Sequence, residues 1–350
     1  MRTESVSIKA DSPSLRAVFM GTPDFAAAIL NLLLHEECLD ITAVYTQPDR
    51  PAGRGKNMRP SPVKTLAEER GIAVEQPPDF KHGGPGDAAV AALAAYAPDV
   101  LLVAAYGLIL PQRVLDIPKL MPINVHASLL PKHRGAAPIQ RAIMQGDVVT
   151  GVSIMRMEAG LDSGPILLQR ATGIGINDTA AMLREELAEE GARLLLMSLR
   201  RLMAGTLCEI PQEHARATYA PKLRKEDGLL DLSLHGEMLH AHIRGATPWP
   251  GASIILHRDG QPELAVQVEP GVFPLTDGMQ QALATHNEKK AQESLSIARV
   301  VGQVDGALLL DCGGGYAFTS FRPAGRKSMH AAAFYNGYIA GAGGVYFSGR

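Results

Sequence analysis

The chain of 350 residues has few cysteines, no excess of charge of either sign and no long apolar run, and each shortage closes off a class of function. Cys38, Cys208 and Cys312 lie far apart, are odd in number and lack zinc-site spacing, so neither a disulfide framework nor a zinc site is expected; they read as buried thiols of a reducing compartment. Against 34 Lys and Arg stand 36 Asp and Glu, a net charge of −2, which excludes a broadly basic nucleic-acid binder. Any nucleic acid must be gripped by local patches. The longest apolar run, Val100 to Leu110, is too short to span a bilayer and stops at Pro111, so no membrane segment is expected. Neither G-x-G-x-x-G nor G-x-x-x-x-G-K-[ST] occurs, which removes the main support for a dinucleotide or nucleoside triphosphate site. The opening residues 1–14 mix acids and bases without an apolar stretch and read as a loose extension, not a signal peptide.

What is present is 46% hydrophobic residue content, enough for two domains of ordinary size. From Leu15 the pattern alternates strand and helix: "LRAVFM", "ITAVYT", "IAVEQ", "DVLLVAA", "INVHAS", "GVSIMRM" and "PILLQRAT" are separated by helical stretches, and a long helix runs from about Thr179 to Met203. Alternation of this kind predicts a parallel, twisted sheet with helices on both faces, and runs such as "VLLVAA" suit strands buried on both faces. We expect a catalytic domain over 15–204 and a proline-bearing linker over 205–220. Short β-like runs ("ASIILH", "AVQVE", "ARVVGQV", "ALLLDCG") over 221–335 predict a small β-barrel or sandwich, and 336–350 reads as a glycine-rich tail.

Asn124 and His126, in "INVHAS", are two residues apart in a strand and therefore share a face near its C-terminal end, where open α/β sheets place their chemistry. Asp162, in "MEAGLDSGPIL", lies in a loop between two strands of the same sheet, and a carboxylate beside an imidazole sets a histidine's tautomer and pKa. "HASLL" around Ser128 is no nucleophile elbow, and His126 and His133 lack an acidic ligand pair for a metal. An amide donor, a base and a carboxylate suit acyl transfer without a covalent enzyme intermediate. On its own "AAYGLILP" is core plus a turn at Tyr106 and Gly107; backbone groups exposed there could also hydrogen-bond a flat heterocycle, with Leu108 and Leu110 covering its faces. The stretch Gln47 to Lys64 sets Arg50, Arg54, Lys56, Arg59 and Lys64 against Asp49 alone, which is either a solvated basic loop or, by its composition, a site of phosphate contact.

The segments "FMGTPDFA", "TQPDRPAGRGK", "PSPVK", "AAYGLILP", "INVHASLLPKHRGAAPIQRAI", "TGVSIMRMEAGLDSGPIL" and "TPWPG" together resemble those of the 10-formyltetrahydrofolate-dependent formyltransferases. The "PDRPAGRGK" loop and "RGAAPIQ" resemble the methionyl-tRNA formyltransferase branch. The likeness runs in register from about Arg16 to Tyr219 and more weakly to Met329; Leu232 stands where the family commonly has tryptophan. This resemblance implies a Rossmann-like formyltransferase domain with a mostly parallel sheet, followed by an OB-fold-like barrel that helps hold tRNA. It implies 10-formyltetrahydrofolate as co-substrate, no metal, and initiator methionyl-tRNA as acceptor; a cytoplasmic location and a monomer are separate expectations. It makes Asn124, His126 and Asp162 the catalytic trio. Tyr106, Gly107, Leu108, Ile109, Leu110, Ser128, Leu129, Leu130 and Pro131 would line the folate site. The basic loop, Arg54 foremost with Arg50, Lys56 and Arg59, would enter the acceptor-stem groove, and Lys222, Arg322, Arg326 and Lys327 could form a second patch on a domain otherwise balanced in charge. A sibling acting on a sugar-nucleotide or ribonucleotide amine is the alternative, and a non-catalytic folate- or RNA-binding protein a remote third.

Overall fold

A computed structural model describes residues 14–52, 57–287 and 297–350. All but the last residue of the expected N-terminal extension, together with Arg54 and Lys56, lies outside the described residues. The chain divides into two compact units: Met1–Ala136, Gly151–Ala171 and Glu185–Tyr219 form the first, and Ala137–Thr150, Thr172–Arg184 and Ala220–Arg350 the second.

In chain order the elements up to residue 203 are β1 (Leu15–Gly21), α1 (Asp24–Leu33), β2 (Leu39–Tyr45), β3 (Arg50–Ala52), β4 (Asn57–Arg59), α2 (Pro62–Glu69), β5 (Ala73–Glu75), α3 (Gly84–Ala95), β6 (Val100–Ala104), α4 (Gln112–Leu115), β7 (Met121–His126), α5 (Pro138–Met144), β8 (Val149–Arg156), β9 (Ile166–Gly173) and α6 (Ala180–Met203). Seven strands form one sheet in the order β5-β2-β1-β6-β7-β8-β9. The pairs from β5 to β7 are parallel and β7 meets β8 antiparallel, so the sheet is mostly parallel, as expected. Every residue of β6 is buried, the signature of a central strand covered on both faces. The chain runs outward from β1 to β2 and β5, then crosses to β6 on the other side of β1, which makes the C-terminal ends of β1, β6 and β7 a topological switch point. Gly191 lets α6 press against β7: a Cβ there would come within 2.8 Å of Val125 Cγ1. The helix α2 begins as its sequence dictates, with the Ser61 hydroxyl accepting the Lys64 backbone N–H at 3.0 Å and Pro62 in the first turn.

The basic stretch is no open loop. Within it β3 and β4 pair antiparallel, with Arg50 opposite Arg59. The segment 205–219, expected as a linker, is laid along the first unit: Ile210 and Ile166 exchange two backbone hydrogen bonds of 2.8 Å, and Thr218 O accepts the Arg134 N–H at 2.9 Å.

The second unit contains α7 (Gly236–Ala246), β10 (Ala252–His257), β11 (Leu264–Val268), α8 (Asp277–Asn287), β12 (Ile297–Val304), β13 (Ala307–Asp311), β14 (Tyr316–Phe318), β15 (Ser320–Pro323), β16 (Met329–His330), α9 (Ala331–Tyr338) and β17 (Tyr346–Ser348). Its eight strands pair antiparallel in the order β14-β13-β12-β17-β10-β11-β15-β16, a curled sheet that carries the barrel-like expectation. Along β10, Ala252, Ile254 and Leu256 alternate inward with the period of a strand. They meet Val266, Leu308, Leu310, Phe321 and Phe334, and the last two rings stack with centroids 4.2 Å apart. Leu232 is buried in the same core.

The glycine-rich end departs from the expectation of a loose tail. The strand β17 lies inside the sheet between β12 and β10, and Phe347 is fully buried. A three-residue strand carries too little periodicity to be seen in sequence; its two neighbours and one phenylalanine hold it. Phe347→Ala is expected to destabilise the second unit by about 3–5 kcal/mol, read as a lower urea midpoint for its unfolding transition.

Candidate active site

The strand β7 carries Asn124 and His126 on one face, both more than nine-tenths buried. His126 Nε2 lies 3.0 Å from the carbonyl oxygen of His133. A carbonyl can only accept, so Nε2 bears the proton and Nδ1 carries the lone pair of the neutral ring. That Nδ1 is 3.7 Å from Asp162 Oδ2, too long for a hydrogen bond but within ion-pair range once the ring is protonated. The tautomer is therefore set by a backbone carbonyl, and the carboxylate faces the basic nitrogen. Asp162 Oδ2 also accepts the Gly135 N–H at 2.8 Å, which keeps the carboxylate in place. Asn124 keeps 7% of its surface exposed on this face.

Asp162 reaches His126 by a route the strand order does not suggest. Because β8 runs antiparallel to β7, Arg156 at its end sits beside Ile123, three residues short of His126. The loop from Met157 to Pro165 must fold back over the sheet face by about 10 Å to bring its carboxylate to the imidazole. Gly164 closes the loop's base, where a Cβ would fall 2.0 Å from Arg156 O. Asp162 itself has φ +48°, in the left-handed region that Asp tolerates better than most residues.

The turn after β6 emerges beside the end of β7, in register Val103 to Asn124. Tyr106 is buried, and its carbonyl is already taken by Thr22 Oγ1 at 2.8 Å and Gln47 Nε2 at 2.9 Å. The Gly107 turn has φ +81°. Among the described residues no hydrogen bond uses the backbone of Leu108, Ile109 or Leu110, so these groups can meet the edge of a heterocycle. The Leu110 side chain packs into the core with Tyr106 and Val103, Leu108 packs partly against it, and Ile109 is 90% exposed. The apolar surface offered at this lip is thus Leu108 and Ile109, with Leu110 committed to the core.

After His126 the chain is clasped from within. Ser128 Oγ donates to Lys132 O at 2.7 Å, Ser153 Oγ donates to Ser128 O at 2.6 Å and accepts the Leu130 N–H at 3.0 Å, and Gln169 Nε2 donates to Leu130 O at 2.8 Å. Leu130 packs on Met155 and Ile166, while Leu129 and Pro131 keep partial exposure. The Ser128 hydroxyl therefore holds the backbone, and what the segment presents outward is Leu129 and Pro131. Of Ser153, Gln169, Arg134 and Gln212, which hold these segments, only the polar Ser153 inside "GVSIM" gives a signal in the sequence.

Arg50 and Arg59 stand exposed on the β3–β4 hairpin, whereas Lys64 is drawn back to Asp49 Oδ2 at 2.7 Å and Gln76 Oε1 at 2.9 Å. Arg322, Arg326 and Lys327 are exposed on β15 and the turn before β16, and Lys222 is exposed near the start of the second unit's main segment. Among the described residues no cluster of His, Cys, Asp and Glu is built to hold a metal ion, and no helix is long and apolar enough to cross a membrane.

Residues 15–199 match the family model described as formyl transferase, and residues 222–339 match that of the formyl transferase C-terminal domain. The methionyl-tRNA formyltransferase of Nitratidesulfovibrio vulgaris (strain DP4) is 49% identical over 332 residues, 94% of this chain and 95% of that one. The same-named protein of Ectopseudomonas mendocina is 51% identical over 246 residues, 70% of this chain and 77% of that one. Among solved structures, WlaRD, a sugar 3N-formyl transferase, superposes with a TM-score of 0.56 at 14% identity, covering 90% of this chain and all of that one. HypX from Aquifex aeolicus in complex with tetrahydrofolic acid gives 0.55 at 18%, covering 93% of this chain and 48% of the longer HypX. At these identities the two structures bear on fold alone. A mostly parallel sheet followed by a curled antiparallel one, each matched by its own model, is the architecture of a formyl transferase. With two relatives near half identity, one of them matched almost end to end, the chain belongs to the methionyl-tRNA formyltransferase family.

The pairing of Lys64 and Gln76 with Asp49 holds that carboxyl below the usual carboxylate range. A depressed acid stabilises the fold above its unfolded pKa, about 3.9, and loses that contribution as pH falls through its folded value. The amides of Gln47, Asp49 and Arg50, beside this pairing, are therefore expected to lose protection only on acidification below about pH 4, measured by hydrogen exchange.

Proposed function

We propose that the protein transfers the formyl group of 10-formyltetrahydrofolate to the α-amino group of methionine on initiator methionyl-tRNA. The observation that carries this reading is the convergence of Asn124, His126 and Asp162 over the strand ends in a chain of this family, with His126 Nδ1 3.7 Å from Asp162 Oδ2. The co-substrate supplies a formyl group on a nitrogen leaving group. The free backbone groups of Leu108 to Leu110 and the partly apolar lip of Leu108, Ile109 and Leu129 suit its flat heterocycle.

The chain's own side chains then have distinct tasks. Asn124, on the same strand face as His126, donates to the negative charge that develops on the formyl oxygen. His126 Nδ1 takes the proton of the attacking amine, and Asp162 stabilises the imidazolium across the 3.7 Å gap. The Nε2–H bond to His133 O keeps the ring from rotating, so the same nitrogen can return the proton to the departing group. Binding both reactants over one strand end converts a bimolecular encounter into an effectively unimolecular step. Arg50 and Arg59, with Arg54 and Lys56 between their strands, supply phosphate contacts to the acceptor stem, and Arg322, Arg326, Lys327 and Lys222 a second set. The enzyme acts as a cytoplasmic monomer in this reading, the second part of which sedimentation tests.

The deciding experiment is transfer of labelled formyl from 10-formyltetrahydrofolate to methionyl initiator tRNA, beside methionyl elongator tRNA and free amino sugars. Selective labelling of the initiator supports the proposal; labelling of only a small amine overturns the tRNA acceptor. His126→Ala is expected to lower turnover by about 10²-fold or more with little change in tRNA affinity, in single-turnover and binding assays. Arg54→Ala should instead weaken tRNA binding and flatten its dependence on salt by about one unit of slope, while an unchanged slope would return the hairpin to plain surface.

A further inference from the structure

We infer that Arg134 and Gln212 are positioning residues for the reaction: together they hold the Asp162 loop in the one conformation that brings its carboxylate to His126. The inference rests on the reading of Asp162 given above.

Gln212 belongs to the segment that sequence presents as a linker, yet it is 6% exposed. Its carboxamide is engaged on both sides. Nε2 donates to the carbonyl oxygens of Asp162 at 2.9 Å and Gly164 at 2.6 Å, while Oε1 accepts from Arg134 Nε at 3.1 Å and Nη2 at 2.6 Å. Arg134 is 4% exposed, and among the described residues no carboxylate pairs with it. Its buried charge relies on the Gln212 oxygen and on His214 Nδ1 at 3.1 Å.

The consecutive residues 133, 134 and 135 each reach the trio. His133 O fixes the His126 tautomer, the Gly135 N–H holds the Asp162 carboxylate, and Arg134, through Gln212, holds the Asp162 backbone. Imidazole and carboxylate are thus referenced to the same three residues of chain, although their own strands approach from opposite ends. The linker closes the circuit, since Thr218 takes the backbone N–H groups of both His133 and Arg134. Only a primary amide satisfies position 212: a carboxylate lacks the two donors that the loop carbonyls need, and a cation lacks the acceptor that Arg134 needs. The backbone of Asp162, at φ +48°, is a conformation that surrounding contacts must maintain. Released from Gln212, the loop would lose the reach over the sheet that its placement requires.

A residue that merely packs the linker would affect stability alone, so the test is a double-mutant cycle in the labelled-formyl assay, with kcat and both KM values read for the full chain. Gln212→Met is expected to lower kcat about 10-fold with both KM values unchanged, and to lower it less than about 2-fold when Asp162→Asn is already present. Gln212→Glu keeps an acceptor for Arg134 while removing both donors, and should show the same loss of kcat at a wild-type melting temperature. Wild-type turnover in both Gln212 variants, the full loss repeated on top of Asp162→Asn, or unfolding of both variants would overturn the inference. Wild-type turnover in Asp162→Asn alone would instead overturn the reading of Asp162, a separate failure recognised by that single variant.

Discussion

One hydrogen bond orders the buried end of β7: the His126 Nε2–H to the carbonyl of His133. It uses the outer nitrogen of a buried imidazole on a group that can never give a proton back, and so directs the basic nitrogen to the face where Asp162 stands. The bond exists because the chain leaving β7 doubles back within seven residues, clasped by the Ser128 hydroxyl, the Ser153 hydroxyl and the Gln169 amide. The two bonds of Ser153 are buried, and their loss would leave polar groups without a partner. The site's rigidity is therefore a property of the chain turn behind it as much as of the strand that carries it.

A second constraint is the reversal of β8. Had β8 run parallel to β7, a loop at its C-terminal end would have opened directly beside His126. Running antiparallel, it delivers Asp162 from the far end of the strand, and the loop must be held over the sheet by contacts of its own. The Gly135 N–H, the Gln212 carboxamide and the absence of a side chain at Gly164 are those contacts. An apparently irregular segment at the end of the first unit is thus tied to the Asp162 loop by a buried amide.

Much of the fold was legible in the sequence. The strands of the first unit fall where apolar runs alternate with helical periodicity, because a sheet covered on both faces needs continuous apolar strands. The placement of three polar residues was legible too: Asn124 and His126 occupy alternate positions of one strand, and Asp162 sits in a glycine-flanked loop. Less was visible where short elements depend on distant partners. The strands β3 and β4 are three residues each, masked in sequence by their charge and prolines, and β17 lies among glycines with only Phe347 to mark it. Leu110 was expected to cover a ligand, but its side chain completes the core with Tyr106, a choice made by packing that local sequence does not encode.

By itself the sequence determined which residue types stand at strand ends, how the apolar pattern divides the chain, and which nucleotide-binding loops are missing, because each of these follows from composition and spacing along one segment. Only the tertiary structure decided which nitrogen of His126 is basic, from which side Asp162 arrives, and that Gln212, 86 residues beyond His126 in the chain, joins them. Those are matters of hydrogen bonds between segments distant in sequence, and their directions are set when burial obliges every polar group to find a partner.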